Sequence, residues 1–270
     1  FLEYDIDPQM IDTLSNQPIT ADEVVLGKDA QSSFLLAYIL MFAVYMLVIM
    51  YGSFVSTSVA REKDSRTMEI LITSTQPSAL IVGKVFANAV GGLIQLSLIL
   101  ATGIAGYFLN QSYYPEVVRT MLFSGLSWDA IATFALFTSI GYLLYLFLYA
   151  SLGSLVSKVE DVGSAVTPIT LLFIVAYAIA TIGLNAPTNL AVKIGSFVPF
   201  TAIMAMPIRY FMTYVPLSDI LISFTLMCIT TVLFAVLSIK IYRLGSLSYG
   251  NKLSLVSAVK LILSKADQKL

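Results

Sequence analysis

Residues 60–78 read AREKDSRTMEILITSTQPS, a basic, amphipathic stretch set between two long runs without a charged side chain. Residues 30–60 form the first run, and after Lys84 a second extends to Pro115. At 1.5 Å of rise per helical residue, each exceeds the roughly 20 residues that cross a hydrocarbon core about 30 Å thick. The stretch is therefore predicted to be a short charged element held at a membrane surface between two spanning helices.

Composition extends this reading to the whole chain. Hydrophobic residues make up 58% and charged residues 11%, with mean hydropathy +0.87, far from the roughly 25% charged fraction of soluble domains. An all-α polytopic membrane protein is expected. Charge-free runs at 30–60, 85–115, 130–157, 162–192 and 220–239 predict five spans, over about 34–59, 80–109, 131–156, 162–183 and 217–242. The transmembrane domain accordingly covers 31–270.

Charge placement sets the expected orientation. Of the 15 basic residues, all but Lys28, Arg119, Lys193 and Arg209 fall on one side of this arrangement. By the positive-inside rule that side is cytoplasmic, which puts the N-terminal segment outside and the C-terminus inside a multi-pass plasma-membrane protein. Residues 1–30 are polar and acidic and lack a basic region followed by an apolar one, so they do not read as a signal peptide. They read as the end of an extracellular domain whose preceding span lies outside this sequence.

Histidine is absent and Cys228 is the single cysteine. His-based acid–base chemistry, an intrachain disulfide and a cysteine metal cluster are thereby excluded. The chain is not expected to be an enzyme by itself, nor to bind a cofactor or metal, and no nucleic-acid partner is expected.

Within the spans, Gly91, Gly92, Gly103 and Gly106 suit close helix contacts, and Gln95 is expected to donate an interhelical hydrogen bond. Tyr113, Tyr114 and Trp128 in the following loop suit an interfacial aromatic belt. Pro168 should open its helix locally, with Ser164 or Thr167 answering the freed carbonyl. Between 183 and 216 the pattern changes, with Pro187, Pro199, Pro207 and Pro216 interrupting apolar pieces too short to cross. A re-entrant segment over 194–209 is predicted, with Lys193 and Arg209 in the outer headgroup region. Residues 252–269 place Leu255, Val256, Val259, Ile262 and Leu263 on one face with lysines at its edges, which suits a helix lying on the inner leaflet.

The stretch between the first two spans is read as a helix over 62–76. Met68, Leu71, Ile72 and Thr75 share one face and Glu62, Arg66, Glu69, Thr73 and Gln76 another, while Gln76-Pro77-Ser78 stops it and caps the next helix. Such an element can bury its apolar face in a groove of a soluble partner and pair charges at the rim. By itself the pattern also fits anchoring to lipid.

EKDSRTMEILITSTQPSALIVGK at 62–84 resembles the signature of ABC-2 type permeases, in particular the sodium-efflux (Nat-type) subunits that pair with a separate ATPase. SLGSLVSKVEDVGSAVTP at 151–168, SFVPFTAIMAMPIR at 196–209 and IYRLGSLSYGNKLSL at 241–255 agree with it. The resemblance implies a type V exporter-like transmembrane domain. It also implies a coupling helix in which Glu62, Arg66, Met68, Glu69, Leu71 and Ile72 meet the ATPase, and an outer re-entrant gate containing Phe197, Pro199, Phe200, Met206 and Pro207. The implied partners are ABC ATPase subunits, which would bind the ATP and Mg, a second permease as homodimer or related half-transporter, and the lipid bilayer. The sequence itself has no GxxxxGK[ST] phosphate loop.

The alternative is an ion-coupled secondary transporter or channel, which would place ionisable groups at mid-membrane depth; the five runs offer none. A sodium site would have to use groups such as Gln95, Ser97, Thr102, Thr138 or Ser139, and an apolar, tyrosine-rich lining would suit an amphipathic compound or peptide.

Overall fold

The computed structural model describes residues 30–68, 74–116, 118 and 127–246. Nearly all of the N-terminal segment 1–30 and the expected tail helix at 252–269 lie outside the described residues. Seven α-helices are described: α1 (Ala30–Asp64), α2 (Pro77–Leu109), α3 (Trp128–Leu155), α4 (Val162–Asn185), α5 (Leu190–Gly195), α6 (Pro199–Met212) and α7 (Leu217–Ser246). Five of them, α1, α2, α3, α4 and α7, are long and apolar enough to cross a membrane. At 24 to 35 residues they measure about 36 to 52 Å, beyond the roughly 30 Å hydrocarbon core. Helices are the expected solution, because in lipid each backbone N–H and C=O must be satisfied within the segment.

The helix α3 is the axis of the fold. Apart from half-buried Leu143, it is buried on all sides from Gly141 to Leu155, enclosed by α1, α2, α4, α6 and α7. Three of its tyrosines each reach a different helix. Tyr142 donates to Asn88 O of α2 at 3.0 Å, Tyr145 to Phe200 O of α6 at 2.8 Å, and Tyr149 shares a 2.9 Å bond with Thr170 of α4. These rings are part of the core of the subunit.

The helix α2 is peripheral. Ile81, Val85, Ala89, Gly92 and Leu96 form its one buried stripe, and Val90, Ile94 and Leu98 face outward. Tyr51 ties it to α1 by donating to Gln95 Oε1 at 2.6 Å, so Gln95 accepts the interhelical bond that the sequence had it donating. In α4 the helix runs through Pro168, with Thr167 bonded to Gly163 O and Ser164 to Asp161 O instead of to the freed carbonyl of residue 164.

Between α4 and α7 the chain dips and returns. Gly195 of α5 packs on Ile179, and Phe200 reaches the level of Tyr145 in mid α3. From there α6 runs back along α3, past Gly141 at Ile203, to Tyr210 beside Asp129 at the start of α3. Pro199 opens α6 at its first turn, where a missing N–H costs nothing. Most of the helix is buried.

Candidate functional site

Arg61, Glu62, Lys63, Lys84, Lys158 and Arg243 gather at one end of the bundle, where the loop between α1 and α2 emerges. The helix α1 stops at Asp64, where Arg66 takes a left-handed φ of 57°, a break favoured by the Ser65 hydroxyl, which donates to Arg61 O at 2.8 Å and so competes for the carbonyls of the last turn. Residues 62–76 are therefore not one helix, as the spacing had predicted. Glu62 and Lys63 belong to the last turn of α1, and Arg66 is exposed in the bend that follows it. The restart at Pro77 relies on proline at the first helical position, since the Gln76 side chain makes no capping bond.

Met68 is 1% exposed and packed into the core, where Tyr242 Oη of α7 approaches its sulfur at 3.6 Å. Its assignment to the ATPase-facing surface is corrected accordingly: the side chain is spent inside this subunit. Glu69, Leu71 and Ile72 lie outside the described residues, as does Thr73. Glu62 pairs with Lys84 of α2, which also donates to Ser58 Oγ at 3.2 Å. A cleft of 510 Å³ opens beside this pair, lined by Ser53, Phe54, Thr57, Ser58, Arg61 and Glu62.

Sequence reasoning missed Lys63. It is 2% exposed and donates to Ser154 O of α3 at 3.0 Å. Nothing separates it by type from Arg61 and Arg66, which are exposed. A faint signal was the set of small residues Ser56, Gly153, Ser154 and Gly245. A Cβ on Gly153 would strike the Ser56 backbone, and one on Gly245 would come within 2.6 Å of Ser154 O. Only glycine allows α1, α3 and α7 to converge so closely here.

In the segment that dips and returns, Met206 and Pro207 are buried, Phe197, Pro199 and Phe200 half-buried. Phe200 meets Phe234 of α7 edge-on at 5.3 Å, and Met206 packs with Phe137, Ala202, Val215 and Met227. Arg209 is turned into the protein instead of outward. It is 8% exposed and donates to Asp219 Oδ2 at 3.2 Å and Ser196 Oγ at 3.1 Å, while Lys193 is exposed. Tyr210 donates to Asp129, and burial together with that carboxylate pushes the phenol up to about 12. Neither contact was foreseen.

The hydroxyls considered for sodium lie on two helices, α2 and α3. Ser97 and Thr102 bond to carbonyls of their own helix, while Thr138 is buried in α3. Among the described residues no group of three or more His, Cys, Asp or Glu could hold a metal.

The sequence pattern of ABC-2 family transporter proteins matches residues 3–240. The chain is 36% identical over 251 residues to uncharacterized protein YhaP of Bacillus subtilis (strain 168), covering 90% of this chain and 60% of that protein. It is 30% identical over 225 residues to uncharacterized protein MJ1024 of Methanocaldococcus jannaschii, covering 83% of this chain and 53% of the relative. The chain thus spans little more than half the length of these curated relatives. No solved structure matches it.

Proposed function

The chain belongs to the ABC-2 transporter family, and from that premise we propose that it is the permease of an ATP-driven exporter of the Nat-type, with ATP and Mg bound by a separate ATPase subunit. Membrane components of this family work with ATPase subunits, and the present one has several membrane-crossing helices. The observation that carries the reading is the loop between α1 and α2, which leaves the basic end of the bundle with Arg61 and Arg66 exposed. By the positive-inside rule that end faces the cytoplasm, where an ATPase could push on it.

In this reading Glu62, Arg66, Glu69, Leu71 and Ile72 couple the subunits, and α5 with α6 forms an outer re-entrant gate. Two permeases complete one path and move an ion such as sodium, or an amphipathic compound or peptide, outward by alternating access. Co-purification with the ATPase and ATP hydrolysis in lipid vesicles, screened against sodium and amphipathic compounds, tests it. Arg66→Glu and Glu69→Lys should weaken ATPase docking and uncouple hydrolysis from transport while leaving membrane insertion intact. Wild-type transport by both variants would overturn the assignment.

A further inference from the structure

Three ties leave the base of the α1–α2 loop within seven residues, and each ends on a different helix. Glu62 pairs with Lys84 of α2, Lys63 donates to Ser154 O of α3, and Met68 accepts from Tyr242 of α7. Glu62 and Lys63 are adjacent, so the last turn of α1 sends one charged side chain toward each of two neighbours.

Lys63 has the most unusual placement of the three. A lysine in the last turn of a spanning helix ordinarily snorkels outward and keeps its ammonium among headgroups and water. Lys63 instead lies buried and forms no ion pair among the described residues. Burying an ammonium costs several kcal/mol before compensation. The compensation lies at the C-terminus of α3, whose last carbonyls lack helical partners and concentrate the negative end of the helix dipole. Of those carbonyls Lys63 answers Ser154 O at 3.0 Å, while Ser151 Oγ and Ser154 Oγ bond back within the helix to Leu148 O at 2.8 Å and Ser151 O at 2.6 Å. The contact is also rigid, because Gly153 and Gly245 bring α1 and α7 against the same turn of α3.

We propose that Glu62, Lys63 and Met68 key the loop to α2, α3 and α7, with Lys63 as the positioning residue, so that a push on the loop moves the inner ends of four helices as one body. The proposal rests on the coupling reading for its role in transport, whereas the keying itself is a property of the resting protein. A simple helix cap would need only the bond to Ser154. The divergence of three ties to three helices, at the root of the segment that would receive the push, is what a force distributor requires.

Spin labels on exposed Asp64 and Lys158, in a Cys228→Ala background, report the distance between the loop root and the end of α3. The full-length permease is measured in nanodiscs, with and without its ATPase subunit and ATP–vanadate. One narrow distance is expected in the wild type, unchanged by nucleotide trapping. Lys63→Met should lose the single narrow distance and make it nucleotide-sensitive, and Lys63→Arg should restore it. A narrow, unshifted distance in Lys63→Met overturns the proposal, and so does a shift on trapping in the wild type. If Lys63→Met does not fold, the wild-type trapped distance decides alone. Failure of the ATPase to bind at all sinks the coupling reading, while the resting distances of the wild type, Lys63→Met and Lys63→Arg still decide the keying.

Discussion

Tyr242 of α7 directs its hydroxyl at the Met68 sulfur, 3.6 Å away and 174 residues apart in the chain. The bond itself is weak, since thioether sulfur is a poor acceptor. What matters is the burial that accompanies it, for Met68 is packed within the main core cluster alongside Val59 and Tyr242. Met68→Ala is therefore predicted to lower stability by about 2–5 kcal/mol, the range for truncating a buried side chain to alanine. Tyr242→Phe keeps the ring and should cost about 1 kcal/mol or less. Thermal unfolding of the purified protein distinguishes them; a neutral Met68→Ala would mean that the loop root is not anchored in the core.

Gly153 lies where a Cβ would meet the Ser56 backbone, and backbone cannot rotate aside as a side-chain tip can. Gly153→Ala should push α1 away from α3, weaken the Lys63 bond to the neighbouring Ser154, and cost about 1–3 kcal/mol. Gly103 has nothing within 4 Å of the same position. Gly103→Ala should be neutral or stabilising by up to about 1 kcal/mol, through helix propensity alone. Equal loss of thermal stability in both variants would contradict the close approach of α1 and α3.

The five long helices were legible because each is bounded by charge, and a charge-free run of more than about 20 residues has few other solutions. The enclosure of α3 was not. A helix surrounded by protein and one surrounded by lipid are both apolar on every face, so periodicity cannot tell that Tyr142, Tyr145 and Tyr149 sit in a core. The loop was found by its charges, but its break at Arg66 was hidden because arginine carries no local preference for a left-handed φ. Lys63 and Arg209 share the same difficulty. Both were read as surface cations, and only tertiary placement beside Ser154 or Asp219 reveals that they turn inward.

The Arg209–Asp219 pair joins α6 to α7, and Ser196 and Ser223 complete its surroundings: Ser223 Oγ donates to Ser196 O at 2.5 Å. Asp219→Asn should leave the Arg209 guanidinium buried without a counter-charge. The cost is expected near 3 kcal/mol, the lower end for breaking a buried pair, because Asp219 keeps 23% of its side chain exposed. Arg209→Met with Asp219→Leu removes both charges and should recover most of that loss, since an apolar replacement of a buried pair is often neutral. Thermal unfolding of the single and double variants checks the sign; a double variant as unstable as Asp219→Asn would show that the pair is not the source.

Arg66 offers a way to separate backbone shape from charge in the loop. Its φ of 57° lies in the left-handed region, which costs a residue with a Cβ about 1–2 kcal/mol. Glycine carries no such penalty, and asparagine tolerates the region better than arginine. Arg66→Gly and Arg66→Asn should therefore raise stability, by about 1 kcal/mol for glycine, although each removes an exposed charge. Arg66→Glu keeps the conformational penalty and should leave thermal stability nearly unchanged. On the proposed coupling role of Arg66, in which its charge and not the backbone shape meets the partner, all three variants should bind the ATPase subunit less tightly, with Arg66→Glu the weakest. Measured together, unfolding temperature and ATPase affinity should move independently across the three variants. If affinity instead follows stability, with Arg66→Gly binding tighter than the wild type, the left-handed turn is the recognised feature and the charge at this position is incidental.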